Sequence, residues 1–120
     1  MAKARHSRFD CNPGCSVEAT LTVIDGKFKC IILYHLLGET MRFNEIHRRI
    51  GSITERTLAN QIRELENDGL VTRTVYDSTP PRVEYSITAL GRSLETILKA
   101  LRAWGDDNID RFEKTASGND

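Results

Sequence analysis

Residues 54–88, TERTLANQIRELENDGLVTRTVYDSTPPRVEYSIT, read as a helix, a turn and a two-stranded hairpin. Leu58, Ile62 and Leu65 recur at i, i+4 and i+7, which gives the helix one apolar face. Arg56, Asn60 and Arg63 fall on the opposite face. Arginine and asparagine offer the donors and acceptors that base edges and phosphates accept well. Asp68-Gly69 closes the helix. Val71–Tyr76 and Val83–Ile87 follow as strands, with Val83, Tyr85 and Ile87 alternating with Glu84 and Ser86. Pro80-Pro81 stiffens the connection between them and marks it as an exposed tip. Such a helix followed by such a hairpin is expected to be the recognition helix and wing of a winged helix-turn-helix, a mainly α fold with a small antiparallel β wing. The direction it points in is DNA.

Outward from this stretch, the pattern stays helical. Thr54 is the expected N-cap of the recognition helix, with Ile53 and Leu58 placed as a hydrophobic staple. Upstream, Asn44 is the expected N-cap of a third helix that buries Ile46 and Ile50 and leaves His47, Arg48 and Arg49 outside. Met41-Arg42-Phe43 fits a very short strand. Lys27–Leu37 is a strongly apolar second helix and Ser16–Ile24 a first one. Downstream, Thr88 caps one last helix whose stripe is Leu90, Leu94, Ile97, Leu98 and Leu101, continued less regularly by Trp104, Ile109 and Phe112. Gly105 is a candidate break in it, since glycine costs about 1 kcal/mol against alanine inside a helix. Residues 1–14, with Lys3, Arg5, His6 and Arg8 ahead of a Cys-Asn-Pro-Gly turn, read as a basic arm: a disordered tail, or a segment touching phosphate or clasping a partner. Residues 15–116 then form a single domain, its dimerisation helix spanning about residues 88–114.

Composition fits one small domain. The chain has 120 residues, 39% of them hydrophobic, enough for a modest core. Lys and Arg together number 17, as do Asp and Glu, whereas a nucleic-acid binder ordinarily carries a basic excess. Residues 42–82 hold seven basic residues against six acidic ones, and residues 83–120 five against seven. It is thus the placement of the arginines, not their number, that points to DNA. No apolar run approaches the roughly 20 residues of a membrane span. The N-terminal stretch has no apolar core of a secretory signal, so a cytoplasmic chain without membrane partners is expected. Three cysteines do not make a disulfide framework, and in a reducing compartment they are expected as thiols.

Several short motifs now combine. They are C-x-V-E-A-T-L at 15–21, G-K-F-K at 26–29, R-F-N-E-I at 42–46 and I-T-x-R-T-L at 53–58. To these add I-R-E-L-E-N-D-G-L-V at 62–71, P-P-R-V-E-Y-S-I-T at 80–88 and L-G-R-S-L at 90–94. Together they resemble the HxlR family of bacterial transcription regulators, relatives of the MarR group, over about residues 15–104. The resemblance implies a homodimeric winged-helix DNA binder. It also implies a response to electrophiles, quinones, hypochlorite or disulfide stress through an N-terminal cysteine, which maps onto Cys15. A cysteine just before a helix is where unpaired N–H groups and the helix dipole stabilise a thiolate, the form that oxidants attack. Ile62 stands in place of the family's leucine, and two further departures matter: Ser16 and Cys30 stand where proline is common.

The remaining cysteines read differently. Cys30 lies in an apolar helix and reads as a small buried hydrophobe. Cys11, four residues before Cys15, is placed either to close a small-loop disulfide with it or to resolve its sulfenic acid. His6, Cys11 and Cys15 lack a fourth ligand and a C-x-x-C pair, so no metal site is expected. Neither a cofactor nor catalysis is expected: there is no nucleophile motif, no phosphate loop and no pair of carboxylates on one face. Asp106, Asp107 and Asp110 read as a solvated acidic face, Trp104 and Phe112 as dimer packing. Whether a pocket between the first, second and fifth helices takes an aromatic effector stays open.

The expected site therefore consists of Arg56 and Asn60 on base edges, with Thr54, Thr57 and Arg63 on bases or phosphates. Arg42, Arg48, Arg49, Arg73 and Arg82 are expected on phosphates, contacts that position without specifying. The expected partners are an inverted-repeat DNA operator, a second copy of the chain and a small electrophile or oxidant; a repressor is the expected regulatory sense. A winged-helix protein-interaction module, or a regulator answering to a non-covalent effector, is the alternative.

Overall fold

The computed structural model describes residues 14–118, and side chains as far as residue 112. In chain order the elements are α1 (Cys15–Ile24), α2 (Lys29–Gly38), α3 (Phe43–Ile50), α4 (Glu55–Asn67), β1 (Val71–Tyr76), β2 (Arg82–Ile87), the short α5 (Ala89–Arg92) and α6 (Glu95–Gly118). The expected basic arm lies outside the described residues except for Gly14.

The core forms where the apolar faces of α2, α3 and α4 meet the base of the hairpin. Ile32, Leu33, Leu36, Met41, Ile46, Leu58 and Leu65 are almost wholly shielded from solvent. Burying one such side chain contributes about 1.5–3 kcal/mol, so this seam supplies most of what holds α4 in place. The expected staple is there, with Ile53 and Leu58 both buried. Helix α2 is the hub: it contacts α3, α4, β2 and α6. That central role explains why it is apolar almost all round, whereas α3 and α4 are two-faced.

The hairpin is antiparallel, running from Val71 opposite Ile87 to Tyr76 opposite Arg82. Val71 is buried, but β2 is half-buried on both faces, so the alternation in its sequence is not matched by alternation in burial. Met41 joins the sheet by one isolated bridge, exchanging two backbone hydrogen bonds with Tyr85 at 3.0 and 2.7 Å.

Several boundaries differ from the sequence reading: α1 begins at Cys15, not Ser16, and β2 at Arg82, not Val83, each one residue early. The second helix starts at Lys29, two residues late. The third begins at Phe43, so Arg42 and not Asn44 is its N-cap, and the Arg42 N–H donates to the Glu45 carboxylate at 2.8 Å. A capping bond from a side chain three residues on replaces the one expected from Asn44. Finally, the last helix is two helices. The Ser93 N–H is shared between the Ala89 and Leu90 carbonyls, and the Leu94 N–H reaches only to Gly91, which tightens the chain into a turn. This turn reorients the stripe: Leu98 is buried and Leu94 half-buried, whereas Leu90, Ile97 and Leu101 face solvent. Gly105 breaks nothing; α6 runs straight through it.

Candidate nucleic-acid interface

Helix α4 is held at its start by Thr54. The Thr54 hydroxyl accepts from the Thr57 N–H at 3.1 Å and donates to the Thr57 hydroxyl at 2.9 Å. Both threonines, expected on bases or phosphates, thus already serve the cap. The turn ahead is stitched by His47, whose Nε2 lies 2.7 Å from the Ile53 carbonyl oxygen. His47 is therefore half-buried and structural, not outside with its neighbours. Gly51 and Gly69 bracket the helix with φ of 82° and 80°, the left-handed conformation that side chains disfavour.

With Leu58, Ile62 and Leu65 turned inward, Arg56, Asn60 and Arg63 project from one exposed face. The Arg63 guanidinium donates to the Asn60 Oδ1 at 3.3 Å. This contact uses the Asn60 carbonyl oxygen and not its amide N–H donors. Among the described residues, Arg48, Arg56 and Arg73 have no carboxylate partner and are exposed. Arg42 is likewise exposed at the start of α3. On the wing, Arg82 lies 4.3 Å from the centre of the Tyr76 ring and 3.3 Å from the Glu84 carboxylate. Arg49 is drawn off: it pairs with Glu39 at 3.0 Å and lines a cleft with Tyr34, His35 and Lys99. Beside that cleft, burial first and the Arg49 charge second hold His35 below its ordinary pKa.

Away from this face, Cys15 is half-buried at the first turn of α1 and is disulfide-bonded, not the thiol expected from the sequence. Cys11 and His6 lie outside the described residues. Cys30 is a free thiol packed against the core, and burial raises its pKa, as suits a hydrophobe more than a sensor. Among the described residues no group of His, Cys, Asp and Glu is arranged to hold a metal ion. No helix among them is long and apolar enough to cross a membrane. Where the sequence left a pocket open between the first, second and last helices, two apolar clefts lie. One is between α1, the turn after α4 and α5, lined by Val23, Leu70, Leu90 and Leu94 among others, and one is between α2 and α6, lined by Cys30, Ile31, Tyr34, Leu98 and Leu101.

Sequence reading missed three side chains that brace α4. Gln61 accepts from the Phe28 N–H at 3.0 Å, and buried Lys29 meets Glu64 at 2.7 Å. A lysine in the first turn of an otherwise apolar helix was the available signal.

An exposed Arg/Asn helix, seated by a preceding helix and turn and flanked by a hairpin that carries Arg73 and Arg82, defines a winged helix-turn-helix of the DNA-binding kind. The HxlR-like helix-turn-helix family matches residues 23–113, and the chain belongs to that family of transcriptional regulators, which are not enzymes. The HTH-type transcriptional regulator YybR of Bacillus subtilis (strain 168) is 51% identical over 104 residues, covering 87% of this chain and 83% of the relative. Among solved structures, the redox regulator HypR in its oxidised form superposes with a TM-score of 0.76 at 52% identity, over 78% of this chain and 97% of that one. The reduced form of YodB from B. subtilis superposes with a TM-score of 0.68 at 29% identity, over 80% of this chain and 92% of that one.

Proposed function

We propose that the protein is a homodimeric repressor that reads an inverted-repeat operator with α4 and responds to oxidants through Cys15. The observation that carries the DNA reading is the exposed Arg56–Asn60–Arg63 face opposite the buried Leu58–Ile62–Leu65 seam. Arg56 and Asn60 contact base edges and Arg63 supports them, with Thr54 and Thr57 at the phosphate nearest the helix start. Arg42, Arg48, Arg73 and Arg82 hold phosphates; Arg49 joins them only by leaving Glu39.

The dimer reading rests on apolar surface. Val17 and Leu21 on α1 and Ile97, Leu101, Trp104, Ile109 and Phe112 on α6 are exposed, an extent of apolar surface that favours association. A two-fold axis through α6 sets two α4 helices about 34 Å apart, one turn of DNA.

The redox reading rests on the disulfide-bonded state of Cys15 at the start of α1 and on the likeness to HypR, a redox regulator. Cys11 is its proposed partner: two thiols become one disulfide, and two electrons and two protons pass to an oxidant such as a quinone. The change falls on α1, whose exposed apolar face belongs to the proposed dimer, so it alters the spacing of the two reading heads.

The test is binding to duplex DNA from upstream of the protein's own gene, before and after diamide, in wild type and Cys15→Ser. Salt-sensitive, sequence-dependent binding by reduced wild type supports the DNA reading; its absence overturns it. Loss on oxidation in wild type but not in the variant supports the switch, and equal behaviour of the two removes Cys15 from it.

A further inference from the structure

We propose that Gln61 is a specificity-setting positioning residue: with Lys29 and Glu64 it fixes the rotation of α4 about its own axis, and so the register in which Arg56, Asn60 and Arg63 meet base edges. The inference rests on the DNA reading above and adds residues that touch no DNA.

The apolar seam alone does not fix that rotation. Hydrophobic contact is non-directional, so a seam of Leu58, Ile62 and Leu65 sets the angle of the helix less sharply than a hydrogen bond does. A hydrogen bond is directional, with a donor–acceptor window of about 2.7–3.2 Å. A roll of about 20° moves side-chain atoms at the helix's outer radius of about 5–6 Å by about 2 Å. That displacement breaks a bidentate contact to a base.

Two directional contacts oppose such a roll. Gln61 Oε1 accepts from the Phe28 N–H at 3.0 Å, at the start of α2. Three residues on, Glu64 meets the Lys29 ammonium at 2.7 Å. The pair stand about 4.5 Å apart along the axis, so they resist sliding as well as rolling. Both partners belong to rigid places. Phe28 and Lys29 are buried, Phe28 as part of the core cluster. A buried ammonium without a counter-charge is costly, which holds Glu64 to its place. Each bracing residue also directly follows a reading residue, Gln61 after Asn60 and Glu64 after Arg63.

Gly26 completes the socket. A Cβ there would lie 2.8 Å from Gln61 Oε1 and 2.9 Å from Lys29 Cγ. Only glycine leaves the amide where it is, so Gly26→Ala displaces the brace without altering α4 itself.

The experiment is selection of binding sites from a random duplex library with full-length reduced protein, comparing wild type, Gln61→Leu, Gln61→Glu and Gly26→Ala. Gln61→Leu removes the acceptor; Gln61→Glu keeps one at the same reach. The expected result is a sharp motif for wild type and Gln61→Glu. Gln61→Leu and Gly26→Ala are expected to give a degraded motif and to bind the wild-type sequence at least about tenfold more weakly. Affinity for a scrambled duplex, and its salt slope, should stay unchanged in all four. Loss of selected and scrambled binding alike would indicate a merely structural role and overturn the proposal, as would an unaltered motif in Gln61→Leu. Should Gln61→Leu fail to fold, Gly26→Ala decides on the same criteria. Failure of wild type to select any motif overturns the DNA reading itself, and is told apart by that arm alone.

Discussion

Arg56 and Arg73 are both exposed arginines without a carboxylate partner among the described residues, yet the proposed docking gives them different work. Arg56 stands one turn before Asn60 on the reading face. Arg56→Ala is expected to weaken operator binding by about 1–3 kcal/mol and to leave scrambled DNA almost unaffected. Arg73, on the wing strand, is expected to act on every sequence alike, so Arg73→Ala should lower the salt slope of binding by about one. Titrations at several salt concentrations separate the two; an unchanged operator affinity for Arg56→Ala would refute the docking of α4. His35 gives a pH prediction. Its pKa is lowered in the folded chain, first by burial and then by Arg49, so the unfolded chain binds the proton more readily. Stability is then retained above the ordinary histidine pKa and declines as pH falls through it toward the lowered one. Unfolding midpoints measured between neutral and mildly acidic pH should decline less in His35→Gln than in wild type; parallel curves would exclude His35 as the cause.

Elements were legible where one segment carried its own signal. Helix α4 shows an apolar period, a threonine cap and a glycine stop between Thr54 and Gly69, and the structure has all three. The cap of α3 was misread because Asn44 is the better capping type, whereas Glu45 reaching back to the Arg42 N–H decides the start. The division of α5 from α6 was not legible at all. Leu90 and Leu94 keep helical spacing across it, and only burial of Leu98 against the core imposes the turn. The brace of α4 left only a hint, a lysine in an apolar helix: Lys29 and Glu64, like Phe28 and Gln61, are far apart in sequence and meet only after folding. Thr88 shows what a correctly read cap contributes. Its hydroxyl accepts from the Gly91 N–H at 3.0 Å and donates to the Gly69 carbonyl at 2.6 Å, joining α5 to the turn after α4. Thr88→Ala should cost about 1–2 kcal/mol, seen as a thermal midpoint lower by about 5 °C; an unshifted midpoint would show the cap to be dispensable.

For the whole molecule, the telling number is a radius of gyration of 16.7 Å, against about 14 Å for a compact chain of this length. Helix α6 accounts for the excess: at 24 residues it extends well past the core. Its exposed Trp104 and Phe112, their rings 5.9 Å apart, are apolar surface that the proposed dimer would cover. Leu101 is 52% exposed, so Leu101→Asp should leave the fold intact while dissociating the dimer at micromolar concentration. Sedimentation or light scattering reads this out, and a monomeric wild type would remove the premise.

The formal charge of zero has a consequence at long range. Residues 42–56, which span α3 and the first turn of α4, carry four arginines against two glutamates, whereas Asp106, Asp107 and Asp110 are exposed on α6, which packs on α2. A molecule so divided feels little net pull from a polyanion, but it carries a dipole on which the field of the duplex exerts a torque. The field is felt within roughly a Debye length, about 8 Å at physiological ionic strength. Under the proposed docking, fewer collisions would be drawn in than for a basic protein, but those that occur would be turned, before first touch, with α3 and the start of α4 toward the duplex.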